Sequence, residues 1–179
     1  LVILLAVTAF ALLAPAIHPA SPFSLIGKPF QAPFGEYLFG TDQLGRDLAA
    51  ALLYGARTTL LIGLVATAIA VLVGVTIGGL AGYYGGRIDS WLMRLTEIFQ
   101  TIPFFLFAIL LLAVLTPSIG NVILAIAVVS WPPMARLVRG EFIAMRDREF
   151  VLACISMGMS HSRIILRHIL PNTLSSIIV

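Results

Sequence analysis

Cysteine, lysine and charged residues in general are scarce in this chain of 179 residues. The one cysteine, Cys154, excludes an internal disulfide and a metal site made of several cysteines. The one lysine, Lys28, is followed by Pro29, so the Gly-Lys-Ser/Thr sequence of a phosphate-binding P-loop is missing. Any ATP that this protein uses must therefore be bound by another subunit.

Catalytic and metal-binding patterns are missing from the sequence as well. No nucleophile stands beside a base, no cluster has the spacing of metal ligands, and the three histidines are scattered. We therefore predict that the chain is not an enzyme and binds no metal or other cofactor directly.

Charged residues make up 11% of the chain, whereas 60% of its residues are hydrophobic. This composition is too apolar for a soluble domain of this size, so the bilayer is the expected solvent. The net charge of +3 does not indicate nucleic-acid binding, because no basic patch occurs apart from the hydrophobic runs.

The hydrophobic runs predict an all-α, polytopic transmembrane helical bundle with about five spans. The first run is shorter than the roughly 20 residues that cross a bilayer, and the last reaches the end of the chain, so we expect both to be truncated. Proline is expected to kink the third span at Pro103 and the fourth at Pro132-Pro133. The predicted spans are residues 1–17, 58–80, 91–115, 121–137 and a fifth from Asn172 onward.

Residues 18–57 are predicted to form an external loop. Leucines recur every fourth residue from Leu44 to Leu52, which predicts an amphipathic helix over 41–57 on the membrane surface. Thr41 is its expected N-cap. This helix is expected either to contact a substrate-delivery protein or only to shape the loop.

Arginine and lysine are divided unequally between the two sides of the predicted spans, 3 against 8. The side with the excess is expected to face the cytoplasm. This predicts that the polar loop 138–171 is cytoplasmic. The smaller set is Lys28, Arg46 and Arg57, and the larger set is Arg87, Arg94, Arg136, Arg139, Arg146, Arg148, Arg163 and Arg167.

Small residues recur at every fourth position along the second predicted span. Lipid supplies no hydrophobic drive between helices, so close contact must hold them together, and small side chains permit that contact. We therefore predict that this face packs against another helix. Its residues are Ala66, Ala70, Gly74, Gly78 and Gly82.

Two charged residues, Arg94 and Glu97, fall inside the third predicted span. They are three residues apart and share a helix face, so one expectation is a structural ion pair. Charges within a membrane are costly and often functional, so a role in gating or in the transport pathway is the alternative.

The loop 138–171 is basic and broken by glycine. Its apolar spacing predicts a helix over Glu141–Met157, followed by a left-handed or kinked backbone at Gly158. A second short helix is predicted over 161–170, with Ser160 as its cap. By pattern alone the loop fits an interfacial helix held on the inner leaflet by arginines as well as a docking surface for a cytoplasmic partner.

The spacing of Ala153, Gly158 and Leu170-Pro171 resembles the EAA loop of ABC importer permeases. In that family the loop reads Glu-Ala-Ala, three residues, Gly, nine residues and Ile-x-Leu-Pro. The chain departs from this pattern at Leu152 in place of Glu, Cys154 in place of the second Ala, and His168 in place of Ile.

Other segments between residues 40 and 172 look like the dipeptide/oligopeptide/nickel branch of these permeases, and especially like the second permease of the pair. Their order and spacing cover most of the chain. The segments are residues 40–47, 54–57, 81–86, 93–95, 135–140, 148–151 and 163–172.

The resemblance implies a type I ABC importer permease whose core is residues 58–179. It implies that Glu149–Ser160 is a coupling helix seated in a groove of a cytoplasmic ATPase, with Gly158 as its bend and Pro171 as the hinge into the next span. The residues expected to carry the coupling are Glu149, Leu152, Ala153, Gly158, Ser160, Arg163, Arg167 and Pro171.

The resemblance also implies partners, namely a second permease, two cytoplasmic ATPases that use ATP and Mg, and an extracytoplasmic solute-binding protein. Peptides are the expected substrate, moved by alternating access, with nickel or another small solute as the alternative. Two other classes stay open, an ion-coupled secondary transporter that works alone and a structural membrane scaffold.

Overall fold

The computed structural model describes residues 2–19 and 21–173, and within them it is built from helices. The β-type pairing found in that part is an isolated antiparallel bridge between Thr41 and Asp47. The all-α prediction is confirmed. The helices are α1 Val2–Ile17, α2 Leu48–Tyr84, α3 Gly86–Gln100, α4 Phe104–Val114, α5 Ile119–Arg146, α6 Glu149–Ser156 and α7 His161–Ile164, followed by a π-helical turn at Ile165–Ile169.

The chain divides into two compact units, Leu1–Leu64 and Val65–Val179. Helices α2 and α5 are each long and apolar enough to cross a membrane, and α3 and α4 together meet the same condition as one span bent by 76°. Helix α1 is apolar but has 16 residues. The described residues thus contain two or three candidate spans where the sequence predicted about five, and the predicted fifth falls mostly on residues 174–179, outside the described residues.

The predicted surface helix over 41–57 is wrong at its start. Helix α2 begins at Leu48 and continues without a break to Tyr84, so the predicted surface helix and the second span belong to one element. Asp47 rather than Thr41 takes the capping position, because its Oδ1 accepts from the backbone N–H two residues later at 2.8 Å. The leucine spacing thus belongs to the first turns of a long apolar helix.

Thr41 lies instead at the centre of a folded loop over residues 21–47. Its hydroxyl donates to the carbonyl of Lys28 at 2.6 Å and accepts from the N–H of Gln31 at 2.9 Å. The phenol of Tyr37 donates to a backbone carbonyl 11 residues earlier at 2.8 Å. These hydrogen bonds join distant parts of the loop and occupy the Thr41 hydroxyl, so it does not cap α2.

Asp42 closes a tight turn in this loop. Its Oδ1 accepts from the backbone N–H groups of Arg46 at 2.9 Å and Leu44 at 2.8 Å. The hydrogen bond from Arg46 is the largest reason why the pKa of the Asp42 carboxyl lies below its usual value of 3.8. A carboxyl whose pKa is lower in the folded chain stabilises the fold above its unfolded pKa, and that contribution disappears as the pH falls through its folded pKa.

Acid is therefore expected to loosen the turn at residues 42–46. Protection of these amides from hydrogen exchange, corrected for the intrinsic pH dependence of exchange, should decline as the pH falls below 3.8. The variant Asp42→Ala should show low protection at every pH and no such decline. Identical pH profiles for the two proteins would contradict the assignment of this turn to the Asp42 carboxylate.

Proline separates α3 from α4 but does not interrupt α5. Pro103 directly precedes the first residue of α4, and the two helices meet at 76°. The kink predicted at Pro103 is thus confirmed as a break. Helix α5 passes through Pro132-Pro133 as one helix, and its first turn is capped by the Oγ of Ser118, which accepts from the N–H of Asn121 at 3.1 Å.

The three glycines of the predicted packing face, Gly74, Gly78 and Gly82, lie against α5, and we call this contact the glycine seam. A Cβ added to Gly74 or to Gly82 would lie 2.6 Å from a side-chain atom of α5. At Gly78 a Cβ would collide with the backbone carbonyl of Ala135, so a side chain fits there only if a helix moves. The two alanines of the predicted packing face, Ala66 and Ala70, are buried.

Candidate functional site

The end of α5 and the helices after it form the region that the sequence singled out. The predicted single helix over Glu141–Met157 is wrong, because α5 ends at Arg146 and α6 begins at Glu149. The backbone of Arg148 is extended, with φ −73° and ψ 145°, and this separates the two helices. Glu149 starts α6, where its negative charge is favourable against the helix dipole.

Gly158 ends α6 in the left-handed backbone that the sequence predicted there, with φ +75°. Its N–H donates to the carbonyl of Ile155 at 2.9 Å, and the next N–H donates to Cys154 at 3.1 Å, which closes the helix end. Ser160 stands at the capping position of α7, but its side chain makes no capping hydrogen bond. We call residues 149–164 the elbow.

The second predicted helix, over 161–170, is helical throughout but is not α-helical in its middle. Helix α7 covers His161–Ile164, and a wider π-helical turn follows at Ile165–Ile169. The π-helical turn comes just before Pro171, where a helical hydrogen bond is missing because proline has no N–H to donate to the carbonyl of Arg167.

The inner face of the elbow is packed into one hydrophobic cluster. Val151 and Cys154 of α6 are buried there together with Ile164 of α7. Val138 and Phe142, from the last turns of α5, complete the contact and are fully buried. Burying each large apolar side chain contributes roughly 1.5–3 kcal/mol, so this cluster fastens the elbow to α5.

Polar contacts tie the elbow to the end of α2. The hydroxyl of Tyr83 lies 2.7 Å from Nδ1 of His161, and Tyr83 also belongs to the hydrophobic cluster. The guanidinium of Arg146 donates to the carbonyl of Gly82 at 3.3 Å. These contacts thus bring together the first residue of α7, the last residue of α5 and the last turn of α2.

An ion pair joins α3 to α5 close by. Arg139 donates through Nε and Nη2 to the two carboxylate oxygens of Asp89, at 2.5 and 2.6 Å. Such two-bond pairing fixes the orientation of both side chains. Neither this pair nor the Tyr83–His161 contact could be predicted from local sequence patterns, because the partners lie 50 and 78 residues apart. The segments that match the family pattern contain Tyr83 and Arg139 but neither His161 nor Asp89, so they gave no signal for either contact.

Outside the buried cluster, the elbow exposes four large apolar side chains that flank the buried side of α6. Phe150, Leu152, Ile155 and Met157 have 41%, 50%, 44% and 68% of their surface exposed, and we call these four the elbow face. The structure also leaves exposed every residue that the sequence predicted to carry coupling. These are Glu149, Leu152, Ala153, Gly158, Ser160, Arg163, Arg167 and Pro171.

Arg94 and Glu97 both lie on α3 with exposed side chains. The ion pairs found within residues 2–19 and 21–173 are His18–Asp47, Arg139–Asp89 and Arg146–Asp147. The predicted ion pair between Arg94 and Glu97 is therefore wrong. Both side chains leave the helix on its outer side, whereas the paired acidic residue of α3 is the inward-facing Asp89.

Comparison with known proteins agrees with these features. Residues 74–179 match the family described as "Binding-protein-dependent transport system inner membrane component". The chain is 41% identical over 180 residues to the dipeptide transport system permease protein DppC of Bacillus subtilis, covering 100% of the chain and 56% of that relative. It is 39% identical over 147 residues to the oligopeptide transport system permease protein OppC of the same organism, covering 82% of the chain and 48% of that relative.

A putative peptide transport system permease protein of Brucella suis is 41% identical over 180 residues, covering 100% of the chain and 60% of that relative. The chain thus spans about half the length of the curated relatives it matches. The family match covers the glycine seam from Gly74 onward, the ion pair of α3 with α5 and the whole elbow. The chain therefore belongs to the family of binding-protein-dependent transport system inner membrane components, and the resemblance to ABC importer permeases of the peptide type is confirmed.

Proposed function

We propose that this chain is the permease part of an ATP-driven ABC importer that moves dipeptides or oligopeptides across the cytoplasmic membrane. It works with a second permease, two cytoplasmic ATPases and an extracytoplasmic solute-binding protein. The chain itself is not an enzyme and holds no cofactor, because ATP and Mg are used by the ATPases. Transport proceeds by alternating access between two states of the spans.

The observation that carries this proposal is the two-sided elbow. Its inner face is buried against α5 through Val151 and Cys154, while the elbow face is apolar and exposed. Large apolar side chains exposed on the polar side of a membrane protein are typical of a protein–protein contact. Leu152 replaces the family's Glu, so the contact with the ATPase is apolar at this position.

The contacts of the elbow provide a route for force. A push on α6 reaches the last turns of α5 through Phe142, and α5 lies against α2 along the glycine seam. The Tyr83–His161 contact ties the same elbow directly to the end of α2. Close-packed cores transmit displacement because they deform little, so closure of the ATPases would move both helices together.

The substrate is inferred from the relatives. The relatives from Bacillus subtilis are named for dipeptide and oligopeptide transport, which favours peptides over nickel or another small solute.

The arginines between 136 and 167 favour a cytoplasmic position for the elbow, where ATPases could reach it. Arg94 and Glu97 remain candidates for a pathway role.

Uptake by reconstituted vesicles tests this proposal against an ion-coupled carrier. Vesicles that contain the protein with both ATPases, the second permease and the binding protein should accumulate a labelled dipeptide only when ATP is supplied inside. A protonophore added at constant ATP should leave the uptake unchanged. Uptake that a protonophore abolishes, or that proceeds without ATPases, would contradict the proposal. Uptake of nickel but not of dipeptide would select the alternative substrate.

A further inference from the structure

Helix α3 has two opposite faces with different partners. Asp89 and Thr96 are on the side that packs inside the unit, where Asp89 binds Arg139 and Thr96 is fully buried. Arg87, Trp91 and Arg94 follow one another at spacings of four and three residues, so they share the other side of the helix. This second side is exposed, and neither the ion pair nor the elbow uses it.

The exposed side of α3 forms a shallow cavity of about 170 Å³ between its two arginines. Arg87, Ser90, Trp91 and Arg94 line the cavity. The arginines are seven residues apart, roughly 10 Å along a helix, and long side chains from both ends can reach a group held between them. The Ser90 hydroxyl already donates to the carbonyl of Gly86 at 3.0 Å, so the donors left for a ligand are the two guanidiniums and the indole N–H.

The charge of this cavity is uncompensated within the described part of the chain. No acidic side chain there lies within 4.0 Å of either guanidinium, since the ion pairs present involve other residues. Glu97 is on the same helix but makes no pair with Arg94, and Asp89 is taken by Arg139. Two unpaired guanidiniums beside one cavity are suited to an anionic group with several acceptor oxygens, such as a phosphate.

The neighbours of the cavity are apolar. Trp91 is 73% exposed, and Ile98, on the same side one turn beyond Arg94, is 65% exposed. Tryptophan is enriched at the boundary between the headgroups and the hydrocarbon of a membrane. A ligand here would therefore place its phosphate between the arginines and an apolar tail along Trp91 and Ile98.

We propose that Arg87, Trp91 and Arg94 form a binding site for the phosphate headgroup of an anionic phospholipid. Basic pockets at the cytoplasmic ends of membrane helices bind such headgroups, and a guanidinium can form two hydrogen bonds with one phosphate. The site is separate from the elbow face, so it serves to anchor α3 to the lipid and takes no part in docking the ATPase.

Lipid retention tests this site without any measurement of transport. The protein, purified with the subunits that accompany it, is placed in nanodiscs of phosphatidylcholine with a minor fraction of phosphatidylglycerol. Native mass spectrometry then measures the enrichment of retained phosphatidylglycerol over phosphatidylcholine. Arg87→Gln and Arg94→Gln should each reduce this enrichment about fivefold, whereas Arg94→Lys should keep most of it. Arg148→Gln removes an exposed arginine elsewhere and should leave it unchanged.

Three results would overturn the proposal. Equal enrichment in the wild type, Arg87→Gln and Arg94→Gln would show that the arginines bind no headgroup. If the wild type binds inorganic phosphate in uncharged nanodiscs and both variants lose this binding, with no change in lipid enrichment, the site is one for free phosphate. Loss of an accompanying subunit in both variants, again with unchanged lipid enrichment, would identify a protein contact. Retained ATP-driven uptake in any of these cases would leave the proposed function intact.

Discussion

Replacing Gly158 by Trp is expected to abolish productive coupling while the protein still folds. Gly158 has φ +75°, and a Cβ added there meets nothing within 4 Å. The left-handed backbone costs a non-glycine residue about 1–2 kcal/mol, which is small against the buried cluster beneath the elbow. The indole would project outward beside the elbow face, where we propose that the ATPase docks. The amount of dipeptide taken up per ATP hydrolysed should fall about tenfold or more. A tenfold fall corresponds to a loss of about 1.4 kcal/mol in coupling free energy.

Two further variants separate strain from bulk. Gly158→Ala carries the same backbone strain without the indole and should keep most of the uptake. Gly140→Trp adds an indole at another glycine whose Cβ would meet nothing within 4 Å, on α5 outside the elbow, and should couple normally. If Gly158→Trp folds, assembles and imports dipeptide at the wild-type rate, the coupling role of the elbow is wrong.

Replacing Gly78 by Val is expected to cause a large loss of stability. Its Cβ would collide with the backbone carbonyl of Ala135 and lie 3.0 Å from the backbone nitrogen of Arg139. Both neighbours are main-chain atoms, so the collision can be relieved only if α2 and α5 separate. Overpacking of this kind costs about 1–3 kcal/mol and occasionally more, and the rigid neighbours place Gly78→Val at the upper end.

Gly63→Val is the matched control for this measurement. Gly63 lies on the same helix α2, and a Cβ added there would meet nothing within 4 Å. Both substitutions put the same β-branched residue into a helix, so their propensity costs are alike. Denaturation in mixed detergent micelles should give a lower free energy of unfolding for Gly78→Val by about 2–3 kcal/mol relative to Gly63→Val. Equal stabilities would mean that the glycine seam is not a packing contact.

Local features of this fold could be predicted from the sequence, because each depends on a few neighbouring residues. The break at Pro103 follows from the ring that blocks the helix, and the bend at Gly158 follows from a residue without Cβ. The small residues of α2 indicated a close helix contact. Each of these three signals lies within one helix or turn and does not depend on which residues pack against it.

Features that depend on distant residues were out of reach. Thr41 has the chemistry of a cap, but its hydroxyl is taken by Lys28 and Gln31 of the folded loop, so α2 starts later. Arg94 and Glu97 share a helix face by spacing, yet both side chains are exposed and unpaired within the described part of the chain, whereas Asp89 pairs with the distant Arg139 of α5. Tertiary partners replace the predicted cap at Thr41 and create the pair at Asp89, and no periodicity of the sequence indicates either contact.

The position of the candidate site along the chain could be predicted from the sequence, but the contacts that hold it in place could not. The residues that the motif predicts to carry coupling are all exposed, and their role stays a prediction. The residues that hold them in place, Tyr83 and His161, become neighbours only when α2 and α7 meet. Spacing along the chain contains no information about a contact across 78 residues.

The one thiol of this chain lies within the cluster that seats the elbow, with Cys154 5% exposed. A buried thiol reacts with a maleimide only while the packing around it is open, so its modification rate measures local opening. Maleimide modification of this native cysteine would therefore report, without an engineered thiol, whether the packing between α6 and α5 stays closed or opens under given conditions.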